Sequence, residues 1–170
     1  MDNVLSKLSY GFYIASTKWN GIINGCVVNT VIQISAEPAV IAVSINSQNY
    51  TNELIKKSKK IAISIMTRDI DRKITGNFGF RTGRDINKFE NIEYELTPNG
   101  IPYLLKACAG YIEADIIKIN NVYTHDVFFA KVTDMKYIEN NEEILTYDYY
   151  KKVKKGTVHK NAPTYKAIEK

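Results

Sequence analysis

The chain has 170 residues, a formal charge of +5 and 45% apolar side chains, the share of an ordinary globular protein, and its length suits one domain with a sizeable core. The charge sits at one end: Lys151 to Lys170 holds seven lysines and one glutamate, while the rest holds 16 basic and 17 acidic residues. A near-neutral body argues against nucleic-acid binding, which draws on a basic face, and no apolar run reaches the ~18 residues of a membrane helix. The start, MDNVLSKLSY, has neither the basic opening nor the long apolar stretch of a signal peptide, so a cytoplasmic location is expected. Cys26 and Cys108 have no metal-type spacing and read as free thiols.

Tyr10 to Thr17 (YGFYIAST) reads as a strand. Asn20-Gly21 suits a type I′ hairpin turn, since both residues tolerate positive φ. A second strand is expected around Ile22 to Gln33, and a third over Ala39 to Asn46 (AVIAVSIN). A short helix follows from about Thr51, its expected N-cap, to Ser58, with Glu53 in the first turn and lysines at the end. Ile61 to Thr67 alternates like a half-buried strand. RDIDRKITGNFGF reads as a second short helix, expected to be capped by Asp69, and Gly76, Gly79 and Gly83 are expected to make GNFGFRTGRD an irregular loop. Tyr111 to Ile119 and Thr124 to Ile138 read as long strands, and the basic tail from Tyr147 onward is expected to be extended around Pro163. Many strands and two short helices, in non-alternating order, predict an antiparallel barrel rather than a doubly wound sheet. The expected organisation is a barrel domain over residues 1–150 and a basic extension, 151–170, packing on or near it.

No nucleophile elbow, HExxH helix, Walker loop or GxGxxG is present, and two histidines give little basis for a metal site. Three loops could hold a planar, phosphorylated ligand. NGCVVNT offers the amides of Asn24 and Asn29, the Thr30 hydroxyl, the Cys26 thiol and the backbone around Gly25. SINSQNYT offers Ser44, Asn46, Ser47, Asn49 and Thr51, the last at a helix start where amides point toward an anion. FGFRTGRD adds Arg81 and Arg84, a residue type suited to bidentate phosphate contact. Each also has a plain structural reading: a turn at Asn24-Gly25, a helix cap over Ser44 to Thr51, and a surface ion pair at Arg84-Asp85.

In order, YGFYIAST, NGCVVNTVIQIS, AVSINSQNYTNELI, IAISIMT, FGFRTGRDINKF and KNAPTY resemble the flavin reductase-like domain, the FMN-binding split barrel, over about Leu5 to Tyr165. The subgroup most resembled is that found at the front of high-molecular-weight rubredoxins and in flavoredoxin-like proteins. The resemblance implies a mainly β, Greek-key, antiparallel split barrel with a few short helices, a homodimer, and FMN as cofactor with NADH or NADPH as co-substrate. It implies that Asn24, Gly25, Cys26, Val27, Val28, Asn29 and Thr30 lie along the flavin ring, their short polar groups and amides meeting its pyrimidine edge, where reduction builds negative charge. Ser44, Asn46, Ser47, Asn49 and Thr51 would hold the ribityl chain and phosphate, with Arg81, Arg84 and Lys160 as further phosphate partners. Relatives often carry a lysine near Ser47 and a serine at Thr82. His125 stands where the family often has a Gly-Asp-His turn beside the flavin, which makes it the candidate catalytic residue; the order here is Thr-His-Asp. Cys26 is either a redox thiol or a small residue packed against the flavin.

The activity implied is NAD(P)H-dependent flavin reduction, by hydride transfer from the nicotinamide to FMN. The alternative is a non-enzymatic FMN electron carrier. Relatives resembling high-molecular-weight rubredoxin continue into paired Cys-x-x-Cys motifs that this sequence lacks, so a carrier would pass electrons to a separate protein, a rubredoxin or a flavodiiron protein. The lysine-rich tail is then the candidate docking surface for an acidic acceptor.

Overall fold

The computed structural model describes residues 4–138, 143–157 and 159–164; Tyr165 of the KNAPTY motif and the terminal Lys166 and Lys170 lie outside them. A 3-10 turn, Val4–Lys7, precedes the hairpin of β1 (Tyr13–Trp19) and β2 (Ile22–Val28). Its turn is Asn20-Gly21, with φ of 47° and 80°, the pair of positive values a two-residue I′ turn demands. The strand expected over Ile22 to Gln33 breaks at Asn29-Thr30, and β3 (Val31–Ala36) begins beyond it. Strand β4 (Ala39–Asn46) falls where the sequence placed it and leads into α1 (Tyr50–Ser58). The N-cap of α1 is Asn49, not Thr51: the Asn49 side chain accepts from the Thr51 amide, and Thr51 is buried inside the first turn. An asparagine reaches the amide two residues ahead of it, which fixes the cap two residues earlier than expected.

After β5 (Lys60–Met66), helix α2 (Arg72–Phe80) is capped by Asp71, whose side chain accepts from the Ile74 amide; Asp69 instead takes the Thr67 hydroxyl. The helix ends at Phe80, as the RDIDRKITGNFGF stretch does, so Gly76 and Gly79, which were also read as the start of the loop, are helical. Packing explains this: Ile74 and Phe78 are buried on the inner face, and Gly79 lets the helix rest against Val27. Strands β6 (Tyr94–Leu96) and β7 (Pro102–Leu104) form a small hairpin, β8 (Cys108–Val122) and β9 (His125–Tyr137) a long one, and α3 (Tyr147–Lys152) closes the helical set.

Seven strands form one antiparallel sheet in the order β2-β1-β5-β8-β9-β4-β3. Its two edges, β2 and β3, are joined only by Asn29 and Thr30. From Val28 to Val31 an extended chain reaches at most about 11 Å, so the sheet must curl until its edges nearly meet. Register shifts in β8, between Glu113 and Ala114 and between Ile116 and Lys118, supply part of the bend. The amide of Ser44 bonds to the Thr30 carbonyl at 3.1 Å, so the β3–β4 ladder extends one residue into the link. The product is a split antiparallel barrel. Alternation along β1 and β2 sends Ala15, Cys26 and Val28 into the barrel with Val43, Ile63 and Phe128, and sends Phe12 and Ile14 outward under α2 and α3 with Phe78 and Tyr150. Among the described residues no helix is long and apolar enough to cross a membrane.

Candidate functional site

A cleft enclosing about 680 Å³ of empty space, part of it open to solvent, runs along the seam beside β2. Its apolar wall is Phe12, Phe78, Tyr147 and Tyr150, with the Phe12 and Tyr150 rings 4.8 Å apart. Facing it are Val27, Val28 and Asn29 at the end of β2, Ser44 and Asn46 on β4, and Asn49 at the start of α1. The segment after α3 crosses the mouth, contributing Thr157, His159 and Asn161 to Pro163. It is pinned there: Asn29 Nδ2 donates to Thr164 Oγ1 (3.0 Å), which donates to the Tyr147 hydroxyl (2.8 Å), and His159 meets Phe80 edge to face.

Strand β2 presents bare main chain to this cleft. Trp19 and Ile22 close the two-residue turn as a hydrogen-bonded pair, so alternation makes Ile23, Gly25 and Val27 the residues whose amide and carbonyl point away from β1. The Gly25 carbonyl confirms the direction, because it accepts from Lys88 Nζ (2.9 Å) on that outer side. Among the described residues no strand lies beyond β2, so the outward groups of Val27 have no sheet partner there.

Six of the residues read from the sequence as cofactor contacts therefore line one cleft: Val27, Val28, Asn29, Ser44, Asn46 and Asn49. Thr30 donates to the Asn29 side chain at 3.1 Å just outside it. Asn24 is buried in strand rather than turn; its Nδ2 donates to Thr51 Oγ1 (3.1 Å), and its Oδ1 has no partner among the described residues. Cys26 points into the barrel, where burial pushes its thiol pKa up against the opposing influence of Lys88 and Thr51. Gly25 sits tightly between the Ala15 carbonyl and the Phe78 ring. Ser47 donates to the Thr124 carbonyl (3.2 Å) at the far end of β4. Arg84 pairs with Glu53 (2.5 Å) instead of Asp85 and stacks over Tyr50 at 4.4 Å, leaving a cation beside the first turn of α1. Arg81 lies on the opposite side of α2, in a separate basic groove with Arg72 and Lys73. Lys160 is exposed next to the lining residues His159 and Asn161.

His125 pairs across the β4–β9 ladder with Asn46, which puts it at the rim of the cleft. Its Nδ1 bonds the Thr124 hydroxyl at 2.9 Å. Its Nε2 is buried, approaches the backbone of Asn161 and makes no well-formed hydrogen bond. Burial lowers its pKa, against the Asn161 backbone and Asp126, so the ring is neutral at pH 7.

The aromatic wall was not singled out from the sequence; of the strap over residues 159–164, the sequence reading named Lys160 and the KNAPTY motif but not His159, Asn161 or Thr164 as parts of the cleft. Lys88 was missed as well. It is 3% exposed, with the Gly25 carbonyl as its hydrogen-bond acceptor and no carboxylate partner among the described residues. A lysine in a polar loop gives no sequence sign of burial.

Residues 5–155 match the model of the flavin reductase like domain. A high molecular weight rubredoxin from Moorella thermoacetica is 42% identical over 95% of this chain and 70% of its own length. A ferric-chelate reductase (NAD(P)H) from Archaeoglobus fulgidus is 33% identical over 94% of both chains. The fold matches the crystal structure of an FMN-binding protein from Thermus thermophilus with bound p-hydroxybenzaldehyde at a TM-score of 0.75, with 18% identity and 86% of each chain covered. With its split barrel, its seam-side cleft and a family match over nearly the whole sequence, the chain belongs to the flavin reductase like domain family.

Proposed function

We propose that this protein binds FMN in the seam-side cleft and reduces it with NADH or NADPH. The observation that carries the reading is the bare outer edge of β2, Val27 to Asn29, opposite the polar group of Ser44, Asn46 and Asn49 in one cleft, an apolar recess with a few convergent polar groups of the kind that holds small ligands. These residues fit a planar, phosphorylated group. The outward main-chain groups of Val27 and the Asn29 amide would bind the ring edge, and the aromatic wall would exclude water from it. Asn46, Asn49 and the first turn of α1, with Arg84 alongside, would hold the ribityl phosphate. Bound FMN would supply the hydride-accepting ring, so the protein needs no acid-base dyad of its own. His125, neutral and with an unpartnered Nε2 at the rim, would position the incoming nicotinamide or hydrogen-bond the ring.

The names of the two relatives divide between enzyme and carrier. The ferric-chelate reductase supports use of NAD(P)H, and the solved FMN-binding protein supports FMN. The 42% identity to a high molecular weight rubredoxin favours the second reading, an FMN carrier that delivers electrons to a rubredoxin, a flavodiiron protein or another acidic partner. Of the lysines offered for such docking, Lys152 pairs with Asp148, Lys154 bonds the Ile70 carbonyl and Lys151 lies over Tyr147, while Lys155 is exposed. A cytoplasmic location accords with either reading. A homodimer is supported by exposed apolar residues on the edge strand β3, Ile32 and Ile34, and around the β8–β9 turn, Val122 and Tyr123.

The deciding experiment loads the desalted protein with FMN under anaerobic conditions and records its visible spectrum as NADH is added. A retained flavin band that bleaches within seconds is the expected result. A retained band that neither NADH nor NADPH bleaches leaves the carrier reading, and a chain that takes up no flavin removes both.

A further inference from the structure

Lys88 is buried, yet no carboxylate answers its charge among the described residues. Burying an ammonium without a counter-ion is costly, and such groups persist where the charge is used. Its Nζ is fixed 2.9 Å from the Gly25 carbonyl, on the side of β2 that faces away from β1. Val27, whose amide emerges on that same side and which lines the cleft, is about 7 Å further along the strand. That distance is within one Debye length, and protein rather than water fills the surroundings of the ammonium, so its field reaches the edge little screened.

We propose that Lys88 is a positioning residue that biases the outer edge of β2 toward negative charge, so that a flavin held along Val27 to Asn29 binds more tightly reduced than oxidised. The proposal rests on the FMN reading above. The chemistry is a linkage: reduction adds electron density to the ring, the fixed cation favours that state, and the potential of the bound flavin rises. No proton or electron passes through Lys88. Its contact with Gly25 also holds the 81–88 loop against β2, where Gly83 abuts the Asn24 side chain. A role limited to that tether is the rival explanation.

The test compares wild type with Lys88→Met, which removes the charge at similar volume, and Lys88→Gln, which keeps a hydrogen-bond donor without charge. The midpoint potential of the bound FMN is read by dye equilibration, and urea unfolding of the flavin-free chain is followed in parallel. The expected result in both variants is an about tenfold loss in the ratio of reduced to oxidised flavin affinity, about 30 mV for a two-electron couple. The urea midpoint of Lys88→Met is expected to be unchanged or higher, because a buried unpaired charge has gone. A potential within a few millivolts of wild type in the variants that fold overturns the proposal, and so does failure of both to fold, since either marks Lys88 as a tether. If wild type takes up no flavin, the functional reading itself has failed, and that is known before any variant is made.

Discussion

Asn49 shows how a single side chain can serve structure and site together. It caps α1 through its contact with the Thr51 amide (2.9 Å) and lines the cleft. Asn49→Ala is expected to destabilise the fold by about 1 kcal/mol and to weaken FMN binding, whereas the exposed neighbour change Gln48→Ala does neither. Urea unfolding and a flavin titration check this, and an unchanged urea midpoint in Asn49→Ala would show that the cap is dispensable. The sequence reading put the cap at Thr51, and the structure moves it to Asn49, because only the local backbone decides which polar side chain reaches the free amides. Asn29, Ser44 and Asn46 were legible because small and polar residues interrupt strands of strong β formers, whereas Val27 and Val28 came only from the family resemblance. Lys88 was not, since its burial depends on a loop folding back over a strand 63 residues away.

At the scale of elements, the continuous apolar run placed β4, alternation placed β5, and the Asn20-Gly21 turn fell where expected. The pattern gave α2 but failed to decide Gly76 and Gly79, which read as loop too, because helix there depends on burying Ile74 and Phe78 against β1 and β2. It failed again at Asn29-Thr30, where the residues stay strand-like but the sheet has ended. Strand β8 also carries Glu113, 1% exposed, which receives the Asn99 amide (3.1 Å), the Asn99 side chain and the Thr133 hydroxyl (3.0 Å) and so clasps the 97–100 turn to the β8–β9 hairpin. Burial alone would raise the pKa of this carboxyl; the bonds from Thr97, Asn99 and Thr133 outweigh it and hold the value below the ordinary one. A depressed folded-state pKa contributes stability that is present above the unfolded value of about 4.3 and fades as pH falls below it. Glu113→Gln is therefore expected to lower stability by roughly 1–3 kcal/mol at pH 7, with the gap to wild type narrowing below about pH 4. Melting curves from pH 7 to 3 measure this, and a gap that does not depend on pH would refute it.

For the whole molecule, composition and element order already pointed to an antiparallel barrel, and the family resemblance gave its split form. What neither composition nor periodicity could show is that the two sheet edges are brought together by a two-residue link, since that follows from strand order and not from any local pattern. The exposed faces extend the argument. Strand β3 is an edge whose Ile32, Gln33 and Ile34 are all exposed, an arrangement that invites pairing with a second chain. Sedimentation at micromolar concentration is expected to give a dimer, and Ile32→Lys combined with Ile34→Lys to give a monomer that keeps the fold. A wild-type chain that sediments as a monomer throughout would remove the dimer.

The outer edge of β2 also bears on how such a protein changes over time. Its donors and acceptors belong to the main chain, so they stay in place whichever side chains occupy positions 27 and 28, provided the strand remains a strand. Selection acting there sees backbone shape before it sees residue identity. Substitutions can then accumulate along this edge without moving a single donor, and a lineage can lose most of the letters by which it is recognised while presenting the same main-chain surface.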